Sequence, residues 1–197
     1  MPKRRRKVKD KWKLKTWYTV YAPPYFGGKE IGHTPADDPK KVLGRVLETT
    51  LGSITDDLSQ DYLKLYFQVI NVDGDRAETM FKGHEYMRDY LRSLVRRRTS
   101  RIDGIFDVVT KDGYKLRVYA VAFTYKRVKT SQKRAVRKIM GKIITEKSKE
   151  LNFEQFVHEM VLGKMASDIY NEAKKIILPR HVGIYKSKVL EVPVKPD

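Results

Sequence analysis

Along this chain hydrophobic residues first alternate with polar ones and then, in the last third, recur at a helical period. The alternation is clearest over residues 62–72. There Leu63, Leu65, Phe67 and Val69 point one way and Lys64 and Gln68 the other. Asp73-Gly74 signals a tight turn, and Ala77–Phe81 returns as the second arm of a hairpin. A second hairpin is expected from Ile105 to Phe123, turning at Asp112-Gly113. Leu116, Val118, Ala120 and Ala122 share one of its faces, Lys115 and Arg117 the other. Residues 17–22 are aromatic and β-branched and predict a first strand, stopped by Pro23-Pro24, with Trp17 in the core by its alternation with Thr19 and Tyr21. Residues 23–41, with four prolines and three glycines, read as a loop. Residues 42–54 and 182–192 read as further strands.

Helical periods fill the rest. Met87, Tyr90, Leu91 and Leu94 give the apolar side of a short helix over residues 84–97, on which Arg88, Arg92 and Arg96 stack at four-residue intervals. Over 131–150, Val136, Ile139, Met140, Ile143 and Ile144 form a buried stripe, with Arg134, Arg137, Lys138 and Lys142 on the remaining surface. Asn152 and Gln155 make a capping-box pattern for a helix with Phe153, Phe156, Val157, Met160 and Val161 on its stripe. Gly163 kinks or ends it. A last helix over 164–178 uses Met165, Ile169, Ala173 and Ile176, and Pro179 closes it. Hairpins early and helices late argue for an α+β fold: an antiparallel, hairpin-rich curved sheet or barrel with a short inserted helix and a C-terminal group of helices. The expected organisation is a basic arm over residues 1–14, one globular domain over 15–192 and a short tail over 193–197.

Composition narrows the function. The 197 residues are 41% hydrophobic, enough for a core, and contain no cysteine. Disulfides, thiolate-bound zinc and iron–sulfur sites are therefore excluded. The longest apolar run, Val118 to Phe123, is far too short to span a bilayer, and no apolar stretch follows the basic N-terminus as a secretory signal would require. The net charge is +18, and it is segregated. Residues 1–15 hold nine bases and one acid, 88–101 six and one, and 126–150 ten and two. The other 143 residues, with 17 bases and 20 acids, carry only −3. Solubility does not require such segregation, whereas a polyanion partner rewards it by counterion release.

Catalytic patterns are weak by comparison. Of His33, His84, His158 and His181, only His158-Glu159 opens a zinc-peptidase pattern, and Leu162 stands where its second histidine is needed. Asp37-Asp38 and Asp56-Asp57 could serve a magnesium-dependent nuclease, but beside Pro39 and at a strand end they read better as turn and cap residues. Gly27-Gly28-Lys29 lacks the Walker spacing and reads as a turn. No cofactor is expected.

The basic segments carry the functional reading. Arg96, Arg97, Arg98 and Arg101 lack the interspersed acids of a solvated helix face, and a guanidinium fits phosphate with two hydrogen bonds. Lys126, Arg127, Lys129, Lys133, Arg134, Arg137 and Lys138 run from a loop into a helix whose expected N-cap is Thr130, and free amides at such a start can bind phosphate. In the arm, Lys3, Arg4, Arg5, Arg6, Lys7, Lys9, Lys11 and Lys13 repel one another and are expected to order only on a partner; a solubility or localisation role is the plainer alternative. Trp12, at its border, is a candidate to stack on an unpaired base. Neither the aromatic motif of RNA-recognition sheets nor a GXXG clamp is present, which favours recognition of a folded RNA's shape. The readings kept open are a protein with a stable structural role in one large RNA, a free RNA-binding regulator and a magnesium-dependent nuclease.

At this point the residues resemble a known family. DGYKLRVYAVAFTYKRVKTSQKRAVRKIM (Asp112 to Met140), SLVRRRTSRID (Ser93 to Asp103), KKVLGRVLETTLGSI (Lys40 to Ile54) and YKSKVL (Tyr185 to Leu190) are similar to the archaeal and eukaryotic small-subunit ribosomal proteins called S-three-a-e, in newer naming S-one-e. The similarity runs over residues 12–192. It implies a non-enzymatic protein of the small-subunit platform, near the 3′ end of the rRNA and the mRNA exit. Its partners would be small-subunit rRNA, neighbouring platform proteins and mRNA near the exit, with no membrane. The family's basic stretches match Arg96–Arg98, Arg101 and Lys126–Lys138. Ending at Asp197, the chain resembles the archaeal form and lacks the longer C-terminal extension of eukaryotic members. Its expected location is the cytoplasm, on the ribosome.

Overall fold

A computed structural model describes residues 12–193, so the expected arm and tail lie almost wholly outside the described residues. Among those residues are eight strands and five α-helices, an α+β fold whose strand ladder is mixed and open rather than a barrel. The chain divides into two compact units, one of residues up to 47 with 67–80, the other of 48–66 with 81 onward. Two long strands, β4 (Leu63–Asp73) and β5 (Arg76–Tyr86), give one part to each unit.

In the first unit, β1 (Thr16–Tyr21) pairs antiparallel with β2 (Glu30–Ala36) and parallel with the start of β5. Its core gathers Tyr18, Val20, Ala36, Val42, Val69 and Ala77. Each of the valines among them, withdrawn from water, stabilises by about 1.5–3 kcal/mol. Strand β2 lies within the segment expected to be a loop. It is an edge strand, and Pro35 is tolerated there because an edge strand has amides that need no ladder partner. Trp17 is not in the core: Tyr18 and Val20 face inward and Trp17 is exposed. Period two identifies the two faces but not which of them neighbouring strands cover. Arg45 binds the Pro35 carbonyl (3.1 Å) and the Lys41 carbonyl (2.9 Å), which ties the 37–45 turn to β2. The expected 42–54 strand is shorter, β3 (Val46–Thr50), because Thr50 accepts from the Ser53 amide (3.2 Å) and starts helix α1 (Leu51–Thr55).

In the second unit the end of β5, β8 (Pro179–Glu191), β7 (Lys115–Thr124) and β6 (Arg101–Val109) pair antiparallel in that order. Helix α3 (Thr130–Glu150) lies on β6, where the Phe106 ring fits against Gly104 and Gly141. Helices α4 (Phe153–Val161) and α5 (Lys164–Ala173) bury the predicted stripes except for Ile176, which lies past the end of α5 and is exposed while Ile177 is buried. Lys147 joins all three, 3.2 Å from Glu159 and 3.5 Å from Asp168. Burial alone would raise the Glu159 carboxyl, but hydrogen bonds from Lys164 and Lys147 outweigh it and hold the group below the usual range.

The short helix expected over 84–97 is only α2 (Arg88–Ser93). Residues up to Tyr86 remain in β5 because His84, fully buried, is bonded across to β8. Its Nε2 lies 2.9 Å from the Ile184 carbonyl and its Nδ1 2.7 Å from the Ser187 hydroxyl. The carbonyl can only accept, so the proton sits on Nε2 and Nδ1 accepts from Ser187. Burial pushes this imidazole down to about 4, so it is neutral at physiological pH. The last helix ends at Ala173 rather than 178, and β8 starts at Pro179 rather than 182.

Candidate nucleic-acid interface

Two cationic segments far apart in sequence leave the second unit from one pair of strand ends. Strand β6 begins at Arg101 opposite Phe123, near the end of β7, so Ser100 and Thr124 are neighbours. Both are buried. The Thr124 amide donates to the Ser100 carbonyl (3.1 Å), and the Val128 amide donates to the Ser100 hydroxyl (3.3 Å). The turn of Arg96, Arg97 and Arg98 precedes this knot, and the loop of Lys126, Arg127 and Lys129 follows it. All six side chains are exposed.

The turn is built by its own sequence. Thr99 Oγ1 donates to the Arg96 carbonyl (2.7 Å), and Arg98 adopts the left-handed region at φ 59°, unusual for a residue with a long side chain. Arg180, which no sequence pattern marked, donates from β8 to the Leu94 carbonyl and anchors the approach. Because α2 stops at Ser93, Arg96 does not stack over Arg88 and Arg92 as expected; it lies past the helix in the turn. Arg88 and Arg92 are exposed on α2, whose Tyr90 ring stacks 4.0 Å from Tyr62 and meets Tyr86 edge-on. His181 packs edge-on to Tyr90, and burial, then the charge of Arg180, lowers its proton affinity.

Other predicted residues already have protein partners. Arg101 binds the Asp103 carboxylate at 2.8 Å, and Arg137 donates to the Asp103 carbonyl at 2.8 Å, clamping α3 to β6. Arg134 and Lys138 are exposed along α3, and Lys133 is half-buried. Thr130 is the first helical residue, not the cap; the Lys129 amide precedes it and donates to Gln132 Oε1 (3.0 Å). Trp12 and Lys13 are exposed in the first unit, while Lys3, Arg4, Arg5, Arg6, Lys7, Lys9 and Lys11 lie outside the described residues. The acidic pairs have the cap and turn roles expected of them: Asp37 binds Lys41 at 2.7 Å, Asp38 and Asp57 accept from Lys40 and Ser59 amides, and Asp56 ends α1. Hydrogen bonding to Lys41 holds the Asp37 carboxyl below its ordinary value.

Exposed guanidinium and ammonium groups on a well-bonded strand end make a surface that can grip a broad anion, not a cleft that encloses a small one. The chain is thus an α+β protein with an exposed cationic surface. The chain belongs to the Ribosomal S3Ae family, whose model matches residues 3–193. It is 56% identical over 194 residues to small ribosomal subunit protein eS1 of Staphylothermus marinus, covering 98% of this chain and 92% of that one. Its identity to the eS1 proteins of Desulfurococcus amylolyticus and Archaeoglobus fulgidus is 54%, over 97% and 100% of this chain and 90% and 95% of theirs. Among the described residues no helix is long and apolar enough to cross a membrane.

Proposed function

We propose that this protein is a structural component of the small ribosomal subunit that holds rRNA by its phosphates. One observation carries the reading: the Arg96–Arg98 turn and the Lys126–Lys129 loop emerge together from the Ser100–Thr124 knot with their charges exposed. Phosphate contacts of this kind orient a protein on a folded RNA without reading its sequence. Arg88, Arg92, Arg134, Lys133 and Lys138 widen the surface, and the arm, with Trp12 and Lys13, adds contacts from the other unit. Arg101 and Arg137 contribute less, being held by Asp103. Membership of the family supports a place on the subunit platform, near the rRNA 3′ end and the mRNA exit, among platform proteins and beside the mRNA. The protein works in the cytoplasm, bound to ribosomes, and its role is structural rather than enzymatic.

Sucrose-gradient fractionation of lysate tests this. The protein is expected to travel with small subunits, and a variant with Arg96, Arg97 and Arg98 all changed to Glu is expected to stay at the top while keeping its fold. A large pool of unaltered protein off the subunit would favour a free regulator, and normal co-sedimentation of the triple variant would remove this cluster from the interface.

A further inference from the structure

We infer that the first unit carries a chemically different RNA site, a row of two exposed tryptophans and a half-buried tyrosine that stacks unpaired bases of a single strand. Resting on the RNA-binding reading above, the inference adds a second mode of recognition to it. Trp12 and Trp17 are the chain's two tryptophans, and they are 59% and 58% exposed. They are not scattered. The Lys15 amide donates to the Trp12 carbonyl (3.1 Å), a turn that folds Trp12 back onto β1, where the rings meet edge to face at 6.4 Å and 85°. Lys15 Nζ sits 4.5 Å from the centre of the Trp12 ring.

The row continues along the strand. Trp17, Thr19 and Tyr21 share the face of β1 opposite Tyr18 and Val20, so Tyr21 lies about 13 Å from Trp17 at the usual strand rise. The Arg76 guanidinium stands over the Tyr21 ring at 4.4 Å. Tyr21 and Arg76 also form one wall of a cleft of about 460 Å³, with Pro23, Pro24, Ile70 and Glu78 around it. Apolar walls and a carboxylate suit a base and its ribose better than a phosphate.

Charge decides between nucleic acid and protein as occupant. Each end of the row has a cation set against its ring, Lys13 follows Trp12 directly, and the arm's other bases precede it in the sequence. A base stacks on the ring face that the cation leaves open while its phosphate meets that cation, and this arrangement tolerates any sequence. A duplex keeps its base faces stacked inside, so the site selects unpaired strands.

The two tryptophans make the test direct, since both belong to the row. The full chain is titrated with oligouridylate of about twelve nucleotides and with an RNA duplex of the same length. Tryptophan emission reports stacking, and anisotropy of labelled RNA reports binding independently. Single strand is expected to quench emission by roughly half or more and duplex to leave it unchanged; Trp17→Ala is expected to weaken single-strand binding about tenfold or more and duplex binding by less than about twofold. Circular dichroism confirms that the variant, altered at an exposed ring, keeps its fold. If the single strand binds by anisotropy with emission and Trp17→Ala both unaffected, or if duplex quenches equally, the aromatic row is not a base site, and the phosphate surface of the second unit still stands. If neither RNA binds, both readings fall.

Discussion

The Thr124 hydroxyl accepts from the Ser100 amide at 2.9 Å and lies 2.6 Å from the Lys126 carbonyl, to which it donates. One buried side chain thus holds the start of β6 against the loop that leaves β7. Replacing it with the isosteric valine leaves a buried amide and a carbonyl without partners, at a cost of about 1–3 kcal/mol. Thr124→Val is therefore expected to lower the urea midpoint and weaken RNA binding although no cation is removed. Unchanged affinity would mean that the two basic segments act independently of the knot.

Arg98 is held at φ 59°, where a side chain costs about 1 kcal/mol and asparagine is better tolerated. Arg98→Asn is expected to raise stability by about 0.5 kcal/mol and to reduce RNA affinity. Opposite signs in the two measurements would identify a residue kept for contact at the expense of the fold; a loss of stability would contradict the strain.

Salt dependence counts contacts. Changing Arg96, Arg97 and Arg98 together to Ala is expected to make the slope of log K against log salt shallower by roughly 2–3, because each phosphate contact contributes roughly 0.7–0.9. The side chains are exposed, so unfolding free energy should move by less than about 0.5 kcal/mol. An unchanged slope would show that these arginines face solvent in the complex.

His84 predicts a pH dependence of stability. Its imidazole falls from 6.5 to about 4 on burial, so between these values the unfolded chain binds a proton that the folded chain refuses. The favourable contribution is complete above pH 6.5 and is lost progressively as pH falls towards 4, amounting to about 3 kcal/mol for a shift of this size. Urea unfolding from pH 7 to pH 4 measures it, with His84→Gln as control. That variant should be less stable at pH 7 and lack this part of the acid sensitivity.

At Gly83 the β5 backbone runs close against β8. A methyl group there would lie 2.4 Å from the Ser187 carbonyl oxygen, which cannot swing aside as a side-chain tip could. Gly83→Ala is expected to destabilise by about 2–3 kcal/mol, read by thermal or urea unfolding.

Much of this fold is legible in the order of residues. The β4–β5 turn, the β6–β7 hairpin and the stripes of α3, α4 and α5 follow from side-chain periods that any burying partner would enforce. The basic runs are equally plain, because charge needs no neighbour to be recognised. Trp17 shows the limit: alternation divides β1 into two faces, but Ala36, Val69 and Ala77, brought in from other segments, decide that Tyr18 and Val20 are the inner ones. The late start of the helix expected over 84–97 has the same origin, since the hydrogen bonds that His84 donates to Ser187 and Ile184 keep it in a strand.

By itself the sequence determined the class of elements, the α+β order and the three places where positive charge accumulates, since each depends only on residues near one another in the chain. The tertiary structure alone decided that Ser100 meets Thr124, that Arg101 and Arg137 are engaged by Asp103, and that both tryptophans face solvent. Those outcomes depend on strand register and on which face is covered, and both are set by contacts between segments tens of residues apart.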